Sequence, residues 1–529
     1  MYSSLPKSVE VRLSNANGRG IWAKGPIKAG MASFALPPYA SALSTRNLTT
    51  HCSSCFASSS PDGMRRCTKC RSAYYCDSTC QTNDWGIHKY ECTSLQKWFQ
   101  AAPSSDVPPP SDAVRCLGRI LWRIQKNGVD SVQSKELANM HRQLMKRTLH
   151  LAHSLVQYLG FTSPADMAEF GFLSAADLVD LISRFVTNTF TITDPALTPL
   201  GAAVSPVVAL INHSCDPNAV VVFPRTAEDL KRQEPLMQVV AIRDIFPDEE
   251  VILYTHLNLR QQTLEETYNF TCACRLCTSI NDVDPREAMN CPKNCGGLCP
   301  LPSDDASVIR CVKCKSVVKS VEAILDAARV GQEGLDKASS LQDSNPAKSI
   351  QLTTNLIPIL ASAGLPPSSH PLLGLSRLHQ TLLTSSFPDP LTQDHLDETI
   401  RTVTKNVAGL SSILREGHPV LAIAITELGK LLAVDEPSPE EAHNVEKAGS
   451  SRMGAGLSAY PPSGLPRLKL AYDYLLRARK MLLVAFGVVN EGGQVGREVR
   501  EMVVALEKEI GVFKQGVRNV LEDTPQQKS

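Results

Sequence analysis

Cysteine spacing constrains this chain more than any other feature. Seventeen of its 529 residues are cysteine. Seven fall in Cys52–Cys92 and eight in Cys272–Cys314, leaving Cys116 and Cys215 outside both groups. Clusters this dense read either as a disulfide scaffold or as metal sites, and the compartment decides between them. The N-terminus, MYSSLPKSVEVRL, lacks the apolar stretch of a secretory signal. The longest apolar run, Met481–Val489, is far short of the roughly 20 residues that a membrane span needs. The expectation is a chain of the cytoplasm and nucleus, where thiols stay reduced and bind metal.

At roughly 100–200 residues per domain, the length implies three or more domains. Lys+Arg is 54 and Asp+Glu is 53, a net charge of +1. That balance argues against a chain-wide grip on nucleic acid or anionic membrane. Residues 5–50 look β-rich, with alternation at Val9–Leu13 and glycine punctuation through GRGIWAKGPIKAG. A Pro/Ser linker at Pro103–Asp112 precedes helical spacing over Ala113–Arg184. Strand-like pieces return at Phe190–Thr193, Ala219–Phe223, Met237–Ile242 and Glu250–Tyr254. From about residue 320 onward the pattern is helical, with loops near Gly364–His370 and Phe387–Pro390. Residues 437–466 are rich in Pro, Gly and Ser and are expected to be a disordered insertion. Helix pairs in this tail suggest a tetratricopeptide-like solenoid without a clean 34-residue repeat.

The first cluster reads Cys52-x2-Cys55-x11-Cys67-x2-Cys70-x5-Cys76-x3-Cys80-x7-His88-x3-Cys92. Eight ligands make two tetrahedral zinc sites. Cys76/Cys80 and His88/Cys92 are i,i+4 pairs, the spacing that shares one helix face. So short a segment cannot bury enough apolar surface alone, and zinc supplies folding energy. The spacing resembles the MYND zinc finger, with YYCDSTCQ at 74–81, Trp85 and HKYEC at 88–92 as matching details. That resemblance implies a cross-braced pairing, with Cys52, Cys55, Cys76 and Cys80 on one zinc. Cys67, Cys70, His88 and Cys92 then hold the other. It also implies a proline-rich peptide partner. Five Lys/Arg against four Asp/Glu within 52–92 is thin for binding DNA.

In ALINHSCDPNAV (209–220) an apolar run stops at Asn212-His213, and Asp216-Pro217-Asn218 forces a turn. AIRDIFPDEEVILYT (241–255) turns at Pro247-Asp248 into a strand ending at Tyr254. NFTCACRLC then supplies Phe270, Cys272, Cys274 and Cys277, three thiols that fall one short of a tetrahedral site. Cys215 is the natural fourth ligand. A zinc there would pin the chain after Phe270 against the NHSC loop.

These strings resemble the SET domain of protein-lysine methyltransferases. NHSCDPN, the glycine-bearing NANGRGIWA (15–23), the DI-x3-EE stretch with Tyr254, and the Cys-x-Cys-x2-Cys all occur in the family's order. A finger inserted after the first SET strands and a helical tail narrow the resemblance to the SET-and-MYND (SMYD) family; HPVLAIAITELGKLL (418–432) is similar to a helix of its C-terminal domain. The implied fold is a multidomain α+β protein. Its parts are the start of SET (5–51), the finger (52–92), a helical insertion (93–185), the SET core (186–256), a cysteine-rich post-SET region (257–320) and a helical domain (321–529).

The implied activity is methyl transfer from S-adenosyl-L-methionine to a lysine of histone or non-histone proteins, by a monomer. The family roles put Tyr254 in the lysine channel as the catalytic residue. They put Asn17, Gly18, Arg19, Asn188, Asn212, His213 and Phe270 at the cofactor, with Tyr254 beside it. The sequence departs from the family at Gly201–Pro206, GAAVSP, where Ser205 replaces a frequent aromatic. With Ala202, Ala203 and Ala209, this suggests a wider pocket. The rival reading is an inactive adaptor that uses the finger and the tail to bind proteins.

Five thiols remain in the second cluster: Cys291, Cys295, Cys299, Cys311 and Cys314. Cys311-x2-Cys314 is a good knuckle, and with two of the other three it makes a fourth zinc site; spacing leaves open which two. Cys116 reads as a buried helical thiol.

Overall fold

The computed structural model describes residues 5–522 except 15–17, 60–62, 105, 143–145, 226–234, 254–263, 266–269, 279–282, 302–307, 319–320, 389–390 and 437–459. Two expected cofactor and catalytic residues, Asn17 and Tyr254, lie outside the described residues, as does most of the 437–466 insertion. The chain divides into two compact units. One is Met1–Thr255, Arg260–Cys274 and Leu483–Val495; the other is His256–Leu259, Arg275–Leu482 and Gly496–Ser529. Among the described residues no helix is long and apolar enough to cross a membrane.

The first unit is built on short strands. β1 (Val9–Ser14) and β2 (Gly18–Ala23) pair antiparallel, and β3 (Ala32–Leu36) and β4 (Ala40–Leu43) follow. The finger contributes two-residue strands β5 (Arg65–Arg66) and β6 (Tyr74–Tyr75) and helix α1 (Ser78–Gln100). Then come α2 (Asp112–Asn127), α3 (Val132–Ala138), α4 (Lys146–Leu159), α5 (Pro164–Ala168) and α6 (Ala175–Thr187). Strands resume with β7 (Thr189–Thr193), β8 (Pro199–Val204), β9 (Asn212–His213), β10 (Ala219–Val222), β11 (Met237–Ala241) and β12 (Glu250–Leu253). They form three small sheets, ordered β1-β2-β12-β9, β10-β11-β3 and β4-β8-β7. Between them lies a core that includes Ile21, Phe34, Met237, Val239, Val251 and Leu253.

The finger is continuous with the helical insertion. Its buried cysteines share one core with Leu117, Ile120 and Leu121 of α2, Leu155 of α4 and Ile182 of α6. α1 starts at Ser78, where the Asp77 side chain caps it by accepting from the Cys80 amide at 2.8 Å. Cys76 therefore precedes the helix, and the Cys76/Cys80 pair does not share a helix face as its spacing suggested. Only Cys80, His88 and Cys92 are helical. The helix runs two turns past Cys92, where the Trp98 indole donates to the Pro108 carbonyl at 3.1 Å.

A buried charge network ties α1 to α2. Arg119 donates to Glu91 Oε2 at 2.9 Å and to Asp84 Oδ1 at 2.9 Å, and Tyr75 donates its hydroxyl to Asp84 Oδ2 at 2.9 Å. Glu91 also faces His88 Nδ1 at 3.5 Å. Burial alone would raise the Glu91 carboxyl, but Arg119, His88 and Arg115 hold it below the ordinary carboxylate range.

The second unit carries strands β13 (Ala288–Asn290) and β14 (Leu298–Pro300). An array of helices follows: α7 (Glu322–Leu341), α8 (Pro346–Ser362), α9 (His370–Ser385), α10 (Gln393–Ile413) and α11 (Pro419–Leu432). Each packs on the next, and α7 also packs on α9, the pattern of a helix-pair solenoid. α12 (Leu465–Phe486) and α13 (Gly493–Glu522) complete the described chain. The fully buried Arg467 donates to the carbonyls of Leu432 at 3.0 Å and Leu431 at 3.1 Å, a cation closing the C-terminus of α11.

Removing one partner of a buried ion pair strands the other charge. Glu91→Gln should therefore lower stability by about 3 kcal/mol, read as a drop in thermal midpoint. A midpoint within a degree of wild type would show that the network does not join the finger to α2.

Candidate active site

The site begins with a side chain folded into the backbone. Asn218 is fully buried and bonded at every polar atom. Its amide nitrogen donates to the Glu250 carbonyl at 2.7 Å and to Glu249 Oε1 at 3.1 Å. Its side-chain oxygen accepts from the Ile252 amide at 2.8 Å, and its own carbonyl accepts from the Ile242 amide at 2.9 Å. β9 thereby lies parallel to β12, with Asn212 opposite Ile252 and His213 opposite Leu253. This register fixes β12 through Leu253.

Asn212 reaches across the same sheet. Its Nδ2 donates to Glu250 Oε1 at 2.7 Å and to the Arg19 carbonyl at 3.2 Å. Gly20 makes room for that pair: a Cβ there would stand 2.3 Å from Glu250 Oε1 and 2.9 Å from Asn212 Nδ2. Beside it opens a cavity of about 560 Å³, within the size range of small-molecule sites. Gly18, Arg19 and Asn212 form one wall, Pro206, Ala209 and Leu210 another. The third wall is residues 138–142 with Arg184.

That third wall was not legible in the sequence. It is held by three consecutive carbonyls. The Arg19 guanidinium donates to the Asn139 carbonyl, Arg184 to Met140, and Asn188 Nδ2 to His141 at 2.7 Å. Asn188 thus anchors the wall and does not line the cavity. No motif signals the 138–142 segment; only its place in the fold does. Glu250 and Asn218 stood inside quoted strings, but without partners in view neither had a role.

His213 turns away from the cavity. Its Nε2 lies 3.4 Å from Cys215 Sγ, and its ring meets Phe270 edge-on at 6.3 Å between centroids. Phe270 is 40% exposed. Ser205, the departure from the family, is buried, and its hydroxyl accepts from the Val208 amide at 3.4 Å. It caps a local turn. Ala202 and Ala203 sit within β8, so of the three small alanines Ala209 is the one that lines the cavity.

The cysteine sets converge. Sγ and Nε2 atoms of Cys52/Cys55/Cys76/Cys80, of Cys67/Cys70/His88/Cys92, and of Cys215/Cys272/Cys274/Cys277 each lie within 4.8 Å of one another. Sulfurs 2.3 Å from a tetrahedral zinc stand about 3.8 Å apart. The observed separations are 3.7 Å for Cys55–Cys76, 3.8 Å for Cys67–Cys92 and 3.9 Å for Cys215–Cys272. The donor sets therefore fit zinc in both number and spacing. All 17 cysteines are free of disulfides. The neighbouring Cys215 thiol pulls Cys272 down to about 3, so this cluster holds the negative charge that a cation answers.

The cavity also fits S-adenosylmethionine. Its amino-acid end carries a carboxylate, and Arg19, Arg142 and Arg184 bring three guanidinia to the lining, with Arg142 and Arg184 both paired to Asp180.

Comparison with known proteins agrees. Residues 52–92 match the MYND finger family. The chain is 30% identical over 359 residues to N-lysine methyltransferase SMYD2 of Mus musculus, covering 63% of this chain and 75% of that one. It is 32% identical over 282 residues to N-lysine methyltransferase SMYD2-A of Danio rerio, covering 50% and 59%. A crystal structure of the SET domain of LSMT bound to lysine and AdoHcy aligns over 99% of this chain and 96% of that one, at 12% identity. Its TM-score of 0.26 is too low to carry weight.

The close approach at Gly20 gives a direct test. Overpacking costs about 1–3 kcal/mol, so Gly20→Ala should weaken S-adenosylmethionine binding at least about tenfold by calorimetry. Unchanged affinity would separate the Asn212–Glu250 pair from the cofactor.

Proposed function

The chain belongs to the SET-and-MYND (SMYD) family of protein-lysine methyltransferases, and on that premise we propose how its residues divide the work. It transfers a methyl group from S-adenosylmethionine to a protein lysine. Bound there, S-adenosylmethionine supplies a methyl group activated on a sulfonium. The chain's own task is to hold two reactants in line. Arg19, Arg142 and Arg184 line the cavity with positive charge, two of them shared with Asp180, while the Asn212–Glu250 pair keeps the β2 edge of the cavity rigid. The incoming amine must be neutral, yet a free lysine has a pKa near 10.4. A neighbouring cation and a dry passage both lower it.

Tyr254 follows Leu253, whose register is set by His213 on one side and whose strand is held by Asn218. The β9–β12 register beside the cavity walled by Arg19 and Asn212 is the observation that carries the reading. By the role the family gives it, Tyr254 lines the lysine passage and aligns the amine with the methyl group. Alignment of this kind is worth large factors, and a displacement of about 1 Å can cost about a hundredfold.

The acceptor we favour is a lysine in an extended segment of a histone or of a non-histone protein. The finger takes a proline-rich partner: its net charge of +1 suits a peptide better than a phosphate backbone. Both fit a protein of the cytoplasm and nucleus. Against the adaptor reading stand the N-lysine methyltransferase relatives and the cavity walled by Arg19 and Asn212.

The test is transfer of isotopically labelled methyl from S-adenosylmethionine to histones and to a cell lysate. Label should appear on protein, and Tyr254→Phe should reduce it roughly a hundredfold while cofactor affinity stays within a few-fold of wild type. A Tyr254→Phe chain as fast as wild type would remove the residue from the chemistry.

A further inference from the structure

Residues 288–318 take no part in the cavity, yet they hold a second kind of order. Of the five thiols there, four converge: Cys291, Cys295, Cys311 and Cys314 have sulfurs within 4.8 Å of one another. Cys299 stays outside the set, buried on β14. Cys291 and Cys314 are 3.6 Å apart and Cys295 and Cys311 3.5 Å, close to the edges of a zinc tetrahedron.

We propose that these four cysteines hold a further zinc ion, and that the resulting ribbon is a metal-dependent cap on the first helices of the helical array.

The backbone supports the metal site independently of the sulfur distances. In the first finger knuckle the residue after the second cysteine, Phe56, is left-handed at φ 60°, and its amide donates to the Cys52 carbonyl at 2.9 Å. Lys315 occupies the same place after Cys314, with φ 57°, and donates to the Cys311 carbonyl at 3.0 Å. The Cys52 amide donates five residues on to Ala57, and the Cys311 amide five residues on to Ser316. Each knuckle closes with one antiparallel bridge, His51 with Ser58 and Arg310 with Val317. The two turns share one conformation, although neither Phe56 nor Lys315 has any intrinsic preference for positive φ. A common ligand geometry accounts for both.

The opposite side is shaped for sulfur as well. A Cβ on Gly297 would stand 2.7 Å from Cys311 Sγ and 3.3 Å from Cys295 Sγ, so only glycine lets the backbone approach the thiols. Lys293, Arg310, Lys313 and Lys315 are interleaved with the four cysteines. They suit the double negative charge of zinc bound by four thiolates.

The cap follows from what the ribbon touches. Met289, Cys291, Cys311 and Val318 share one buried cluster with Ile324 of α7 and Leu360 of α8. The Asn290 amide donates to the Gly364 carbonyl at 2.8 Å, and Ser368 Oγ donates to the Pro285 carbonyl at 2.8 Å. Stacked helix arrays need a cap on their terminal repeats. A segment this short has no core of its own to serve as one without metal.

The experiment uses the full-length chain. Elemental analysis should give four zinc ions per wild-type chain, three for Cys314→Ser and four for Cys299→Ser. Hydrogen exchange over 322–362 should speed up at least about tenfold in Cys314→Ser, with 78–92 unchanged. Three zinc ions in the wild type would overturn the proposal. Zinc lost with exchange over 322–362 unaltered would overturn the cap. Should Cys314→Ser be insoluble, alkylation of the wild type decides. Cys314 is exposed, so as a ligand it must resist iodoacetamide until a chelator is added, and immediate labelling would refute its role.

Discussion

The active site depends on one buried amide. Asn218 satisfies both its side-chain atoms and both its backbone groups on residues of β12 and the turns flanking it. An unsatisfied buried polar group costs about 1–3 kcal/mol, so this side chain tolerates only one arrangement of the two segments. That arrangement brings a loop and a strand more than 30 residues apart into parallel register. The β2 side of the cavity takes its position from this pairing. Asn212 can then reach Glu250, and Glu250 fills the space that Gly20 leaves.

Thiol clusters do elsewhere what apolar burial does in the sheets. The finger, the 272–277 stretch and the 288–318 ribbon are too short for cores of their own. The finger brings together two four-ligand sets and each of the others one, every set at distances that fit a tetrahedral ion. The finger then lends its cysteines to a larger apolar cluster with α2, α4 and α6, while the ribbon does the same with α7 and α8.

The sequence shows some of this plainly and hides the rest for physical reasons. Cysteine spacing marked the clusters, because Cys-x2-Cys and i,i+4 pairs have few geometric outcomes; the family resemblance supplied the finger's pairing, and the choice of Cys291 and Cys295 over Cys299 came only with the structure. Spacing misread only Cys76, since the Asp77 cap starts the helix two residues later than periodicity allows. His418–Leu432, read as a helix from its likeness to the family's C-terminal domain, is one: the His418 side chain caps it and Pro419 opens it. The cavity wall at 138–142 was not legible. Its position comes from Arg19, Arg184 and Asn188 each taking one carbonyl of a segment with no motif. The small residues of GAAVSP misled for a similar reason: their packing partners lie in β4, where Gly201 approaches the Ala42 carbonyl.

The charge network between α1 and α2 bears on how such a chain can be taken apart. Glu91 and Asp84 belong to the finger, but Arg119 belongs to the helix after the Pro/Ser linker. A finger excised at Cys92 would retain its ligands and lose the cation that neutralises its two buried acids. The boundary drawn by cysteine spacing is therefore a boundary of ligands and not of folding. A recombination point between the finger and α2 would divide a single electrostatic unit.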